Sequence, residues 1–260
     1  MTDAPSAVTQ LRAEHPSVAD YLASVLTPEQ RSSILLSSFN HWDFAQAALA
    51  DISLCLRDVG AAVTFAFWAG RTPLHDVGWT TSRQVSRLLR SPARDTRVEQ
   101  ALRAFGVPAE AFAEPLIRRW RPRAPITLPP VLNRTSIRAM TYRGTAVGRA
   151  ILQVHPDTKT PVTDDFLWPR RWVEATARSY AYVYDQTLEL IDQRGITALI
   201  VYNGRFLHDR AAAAAAEARG IPVLNYDTGG SQTDFDLTID ATHDWDALQR
   251  RMLAMYEQWP

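Results

Sequence analysis

A single cysteine, Cys55, is all that the 260-residue chain contains. This excludes an internal disulfide framework and a cysteine-based zinc cluster, and the helical apolar pattern around Cys55 reads it as a core residue. Lysine is equally scarce: Lys159 is the only one among 28 basic residues, so 27 are arginine. The 28 acidic residues bring the net charge to zero. With no basic block standing out, the arginine bias fits a GC-rich genome better than a nucleic-acid surface. No apolar run approaches the ~20 residues of a membrane span, and the amino terminus lacks a charged start followed by an apolar segment, so a cytoplasmic protein without a membrane span is expected. His-Glu-X-X-His, Gly-X-Gly-X-X-Gly, a Walker loop and a Gly-X-Ser-X-Gly elbow are all missing. The metalloprotease, dinucleotide, NTPase and serine-hydrolase readings lose their signatures, and neither a metal nor a cofactor is expected. What the chain does have is 46% hydrophobic residues, enough to bury a sizeable core.

The most informative stretch is residues 197–230. Residues 197–202 form a short β-branched apolar run that ends at Asn203-Gly204, as a buried parallel strand passing into a turn would. Residues 206–219 read as a helix: six consecutive alanines favour it and allow close approach to a sheet, and Gly220 followed by Pro222 stops it. A second apolar run, 221–226, completes a βαβ unit with parallel strands. Two polar loops, Asn203-Gly204-Arg205 and Asp227-Thr228-Gly229-Gly230, then fall at carboxyl strand ends, the edge where open α/β sheets bind ligands. Glycine lets backbone N–H groups approach a ligand, and Asn203, Arg205 and Asp227 offer directed hydrogen bonds. The alternative is plain turn chemistry with Arg205 as a solvated charge.

The run Val201-Tyr202-Asn203-Gly204-Arg205, the alanine-rich helix and Gly220-Ile221-Pro222-Val223 resemble the amino-terminal domain of GT-B glycosyltransferases of bacterial surface-polysaccharide biosynthesis. That group carries an Asn-Gly-Arg loop, a helix, a Gly-Ile-Pro strand and a His-Glu-Arg-Gly-like loop. The present sequence departs at Asn225-Tyr226-Asp227-Thr228-Gly229. The resemblance implies the acceptor-side half of a two-domain enzyme that moves a sugar from a nucleotide-sugar to a hydroxyl of a glycan or lipid-linked acceptor. The chain ends at Pro260, about where the linker between halves would begin, so the expectation is that a partner supplies the donor half, or that the chain is a fragment, or that the domain has another use. The competing expectation is a non-catalytic acceptor-binding or scaffold subunit, and a third is a small-molecule enzyme of flavodoxin-like topology.

Upstream, residues 6–26 carry apolar positions at roughly helical spacing, interrupted at Pro16. A first strand at 33–39 delivers Asn40-His41-Trp42-Asp43, a helix follows at 44–59 with Asp43 as N-cap, Gly60 ends it, and 61–68 is a second strand. Histidine titrates near neutrality, so His41 at a sheet's ligand edge is the candidate general base, with Asp43 orienting the ring or the acceptor and Asn40 beside them. By position His41 matches the histidine base of some inverting GT-B enzymes. The plainer roles are a backbone hydrogen bond for His41 and a helix cap for Asp43.

Helices are expected at 80–89 and 95–105. Arg118, Arg119, Arg121 and Arg123 interleave with Trp120, which reads either as a solvated face or as a grip on a phosphate-bearing or lipid-linked acceptor. Residues 126–132 are read as a third strand, although Pro129 and Pro130 argue against a central one, and 133–154 as one helix, with Gly144 and Gly148 marking close packing or a ligand. The Tyr142-Arg143-Gly144 and Val147-Gly148 pattern also resembles the family. Asp164-Asp165 would cap a long helix at 172–194 that has a core-facing tyrosine stripe, and Gly195 would end it. Asp234-Phe235-Asp236 matches an Asp-X-Asp metal pattern by chance, 235–239 is loop or edge strand, and 242–259 is a terminal helix. The expected architecture is a three-layer, Rossmann-like α/β domain with a mainly parallel sheet over 31–260, preceded by a helical extension over 1–30.

Overall fold

A computed structural model describes residues 16–38, 43–68, 99–100, 102–104, 106–113, 121–154, 166–204, 206–228, 235–238 and 253. Helix α1 (Pro16–Val25) leads into strand β1 (Ser33–Ser38), helix α2 (Asp43–Asp58) and strand β2 (Ala62–Phe67). The helices α3 (Arg134–Arg138), α4 (Val147–Val154) and α5 (Arg170–Arg194) follow. The chain then builds β3 (Ala198–Tyr202), α6 (Leu207–Glu217), β4 (Val223–Thr228) and β5 (Phe235–Thr238).

The strands form one five-stranded sheet in the order β2-β1-β3-β4-β5. The first four are parallel, and β5 closes one edge antiparallel to β4. Because β2 lies on one side of β1 while β3 and β4 lie on the other, right-handed crossovers send α2 to one face and α5 and α6 to the opposite face. The fold is therefore the three-layer, mainly parallel α/β domain expected from the sequence. Its inner strands are buried on both faces, which is why β1 and β3 read as near-continuous apolar runs. The alanines of α6 let that helix sit low on the sheet, with Ala211, Ala212, Ala215 and Ala216 fully buried.

Both α5 and α6 end at the amino edge of the sheet, where each feeds its next strand. The Arg219 guanidinium donates to both carboxylate oxygens of Asp192, at 2.8 and 2.6 Å, so these parallel helices are aligned with an offset of 27 residues. Leu207 at the start of α6 thus stands level with Tyr180 of α5. The first ten residues of α5 project about 15 Å further, at 1.5 Å per residue. This overhang lies at the carboxyl edge of the sheet.

Four expectations give way here. Residues 126–132 are not a strand: Pro122, Pro125, Pro129 and Pro130 make 121–132 an irregular strap along α5. The helix expected over 133–154 is two helices, because Arg143 (φ +49°) and Gly144 (φ +84°) turn the chain in a two-residue hairpin. The Tyr142 and Thr145 backbones bond reciprocally across that hairpin at 3.0 and 2.9 Å. The N-cap of α5 is Pro169, so the acidic pair at 164–165 does not cap it. Asp43 is the first residue of α2 rather than its cap. The segments 80–89, 118–120 and 155–165 lie outside the described residues, as does the terminal helix apart from helical, exposed Leu253.

Asp185, fully buried in the middle of α5, gathers the strap and the hairpin. It accepts from the Tyr142 hydroxyl at 2.7 Å, the Arg123 backbone N–H at 3.1 Å and the Arg143 guanidinium at 3.2 Å. The tyrosine stripe of α5 faces inward as expected, with Tyr180, Tyr182 and Tyr184 all buried.

Two outcomes follow from these contacts. A Cβ on Gly148 would fall 1.7 Å from the Ile137 carbonyl oxygen, so Gly148→Ala should cost more than about 2 kcal/mol in urea unfolding. Burial pushes the Tyr180 phenol up to about 12. The phenols of Tyr142 and Tyr226 are also raised, first by burial and then by Asp185 and Asp209 respectively. A raised folded-state value means that the unfolded chain loses these protons first as pH climbs past about 10. Stability present at neutral pH should therefore fall above pH ~10, by up to about 1.4 kcal/mol per pH unit for each tyrosine, in urea midpoints measured from pH 8 to 12.

Candidate functional site

The strand order reverses between β1 and β3: the chain leaves β1 toward β2 and leaves β3 toward β4. In doubly wound sheets the crevice outside the carboxyl ends of two such strands is where ligands bind. In register, Ser37 of β1 stands beside Val201 of β3, so the crevice opens just past Ser38 and Tyr202.

The Asn203-Gly204 turn forms one lip. Asn203 is buried and held at φ +30°, with its backbone N–H donated to the Tyr226 carbonyl at 2.7 Å. Gly204, at φ +67°, donates its N–H back to the Tyr202 carbonyl. Asparagine tolerates a positive φ better than other side-chain-bearing residues because its short amide can bond locally, and glycine has no Cβ to clash. The pair therefore turns the chain away immediately after the strand.

Beyond the turn, α6 begins at Leu207 with Phe206 as its cap. His208 and Asp209 occupy its first turn and are both buried. A carboxylate there is favoured by the unsatisfied N–H groups and the positive end of the helix dipole. Asp209 acts on Tyr226 of β4: burial is the main cause of the raised phenol, the Asp209 charge adds to it, and the neighbouring Ser38 hydroxyl opposes it. Ser37, on the other face of β1, accepts from the Trp68 indole N–H at 2.7 Å. Tyr202 stacks on Phe206 and meets Tyr226 edge to face.

The fourth strand ends in Asn225, Tyr226, Asp227 and Thr228. Asp227 and Thr228 belong to the strand rather than to a loop, since β5 pairs with them, Asp227 opposite Asp236 and Thr228 opposite Phe235. Asn225 and Asp227 share one face, and Leu224 and Tyr226 share the other. Phe235 and Asp236 accordingly lie in an edge strand. No group of three or more histidine, cysteine, aspartate or glutamate side chains placed to hold a metal occurs among the described residues.

Of the sequence-derived candidates, Asn203, Gly204, Asp227 and Thr228 are thus brought to the same edge on neighbouring strands. The backbone of Asp43 opens α2 directly after β1. Asn40, His41, Arg205, Gly229 and Gly230 lie outside the described residues. Sequence reasoning passed over Ser37, Ser38, Asn225, Tyr226, His208 and Asp209, which are all buried at this edge. A signal was present: the run Ser-Ile-Leu-Leu-Ser-Ser puts hydroxyls at the end of an otherwise apolar strand, and Leu-His-Asp opens the alanine helix with ionisable groups. No protein-family model, curated protein or solved structure matches this chain. No helix among the described residues is long and apolar enough to cross a membrane.

The turn makes a direct prediction. Asn203→Ala should lose about 1 kcal/mol in chemical unfolding because alanine resists a positive φ, whereas Asn203→Gly should stay within about 0.5 kcal/mol of the parent. Equal losses from both would show that the amide, not the backbone, sustains the turn.

Proposed function

We propose that this domain is the acceptor-side half of a GT-B-type glycosyltransferase and that the β1/β3 crevice receives a glycan or lipid-linked acceptor. The observation that carries the reading is the chemistry of the described residues at the crevice edge. Buried amides (Asn203, Asn225) and the partly exposed carboxylate of Asp227 stand at the carboxyl ends of β3 and β4, with the hydroxyls of Ser37, Ser38 and Tyr226 and the carboxylate of Asp209 buried near the strand ends on both faces of the sheet. Amides and hydroxyls both donate to and accept from sugar hydroxyls, and carboxylates accept from them. The Asn-Gly turn and its resemblance to the GT-B amino-terminal loop point the same way.

In this reading His41, which the sequence places between β1 and α2, takes the proton from the acceptor hydroxyl. The hydroxyl oxygen bonds to the anomeric carbon of the donor sugar, and the nucleoside diphosphate leaves with the electron pair of the broken bond. The donor is presented by the second, donor-binding half of such an enzyme. Asn203 and Gly204 fix the acceptor, and Arg205, Asp227, Thr228, Gly229 and Gly230 complete the cleft. The strand order β2-β1-β3-β4-β5 also supports a second reading, a small-molecule enzyme of flavodoxin-like topology using the same edge.

A glycan array probed with the purified chain, followed by calorimetry with a nucleotide and nucleotide-sugar panel, separates these readings. The acceptor-half reading expects one class of glycan to bind. Asn203→Gly, which keeps the turn and deletes the amide, should weaken that binding about tenfold. Tight binding of a free nucleotide, with its heat lost in Arg205→Ala, would replace this reading with a self-sufficient nucleotide-binding domain. An array with no glycan bound would remove it.

A further inference from the structure

The overhang of α5 carries a second feature, remote in sequence from the crevice residues. A groove of roughly 680 Å³ runs between the proline-rich strap and the amino-terminal half of α5, lined among the described residues by Arg121, Arg123, Arg170, Arg178 and one acidic residue, Glu174. Its volume is that of an ordinary small-ligand site. Arg170, Glu174 and Arg178 are spaced four apart, so they share one helix face. We propose that this groove binds a phosphate-bearing ligand of diphosphate size.

The four arginines divide into two sets. Arg123 is committed to Glu189 at 2.5 Å, and Arg170 donates to the Pro129 and Pro130 carbonyls at 2.8 and 3.1 Å. These three contacts tie the strap to the helix and give the groove its walls. Arg121 and Arg178 are exposed and, among the described residues, no hydrogen bond or ion pair occupies either guanidinium. One sits on each wall. A planar guanidinium binds two phosphate oxygens at once, so a pair facing one groove suits two linked phosphates.

The framework is stiff. Pro122 and Pro125 fix the strap at the groove, and buried Asp185 anchors its start by accepting the Arg123 backbone N–H. A wall ordered before binding loses little entropy when the ligand arrives. Ala124, Ile126 and Leu128 supply an apolar floor, which strengthens the charge-assisted bonds by excluding water from one side. Glu174 offsets only part of the positive charge, and no ion pair joins it to its helix neighbours among the described residues. None of the described crevice residues lines the groove, and the proposal does not rest on the acceptor-half reading.

The test is calorimetric titration of the full chain with inorganic pyrophosphate at low ionic strength, where charge-based binding is least screened. Saturable one-to-one binding is expected. Arg121→Gln and Arg178→Gln should each weaken it about tenfold, with circular dichroism unchanged, and Glu174→Gln should tighten it several-fold. Flotation with phosphatidylcholine vesicles, with and without phosphatidylglycerol, identifies the source of the phosphate. Vesicle binding that needs phosphatidylglycerol, is displaced by pyrophosphate and is lost in Arg178→Gln assigns a lipid headgroup. Pyrophosphate binding without vesicle binding assigns a soluble ligand. Absence of both, or binding that the folded arginine variants leave intact, overturns the proposal.

Discussion

Everything at the candidate site depends on the pairing of β1 with β3. Ile34 to Ser37 stand in parallel register with Ala198 to Val201, so two segments more than 160 residues apart form the centre of the sheet. A parallel pair cannot be closed by a tight turn and needs a crossover, and here the crossover is most of the chain. With β2 placed outside β1 and β4 outside β3, strand order has to reverse between the two central strands. The crevice is a consequence of that reversal rather than a separate structure. Side chains that follow either strand arrive at one edge whatever the intervening chain does.

The long crossover has its own internal logic. Its final helix, α5, has 25 residues, far more than the five-residue strand it feeds requires. The excess protrudes beyond the sheet's carboxyl edge, where it needs other partners. The strap, the hairpin and α4 supply them, and Asp185 is the point at which strap and hairpin meet. A buried carboxylate is costly unless hydrogen-bonded and paired. Here a phenol, a backbone amide and a guanidinium satisfy it together, so the geometry of the overhang is tightly specified by a single side chain. The close approach of α4 to α3 depends similarly on Gly148, whose missing side chain leaves room for the Ile137 carbonyl.

The βαβ units were legible because their signals are local. Apolar strand-length runs, an alanine helix and glycines just past helix ends place β1, α2, β2, α5, β3, α6 and β4 within one or two residues, and parallel pairing then follows from handedness. Residues 133–154 misled because helical spacing survives on both sides of the Arg143-Gly144 turn. Arginine at a positive φ leaves no signature in composition. The strap at 126–132 misled for the opposite reason: alternating apolar residues imitate a strand, while Pro129 and Pro130 exclude a central one. Ser38, Asp209 and Tyr226 could not be grouped from the sequence, since their proximity exists only once β1, α6 and β4 are aligned. The β4 ending was read as loop because Asp227 and Thr228 look like turn residues until β5 is seen to pair with them.

The two polar regions at this end of the molecule differ in a way that charge alone explains. At the sheet edge the described groups are neutral or acidic and mostly buried, so each must find a partner within hydrogen-bonding reach. Ser38, Asn203, His208, Asp209 and Asp227 all have partners within the protein. On the overhang the groups are cationic and exposed, and they act on charge at longer range with weaker demands on shape. In the readings proposed above, directional recognition belongs to the edge that the strand reversal creates, and attraction of anions to the helix that reaches past it. Since α5 belongs both to the sheet's flanking layer and to the overhang, its rigidity fixes the spacing between the two.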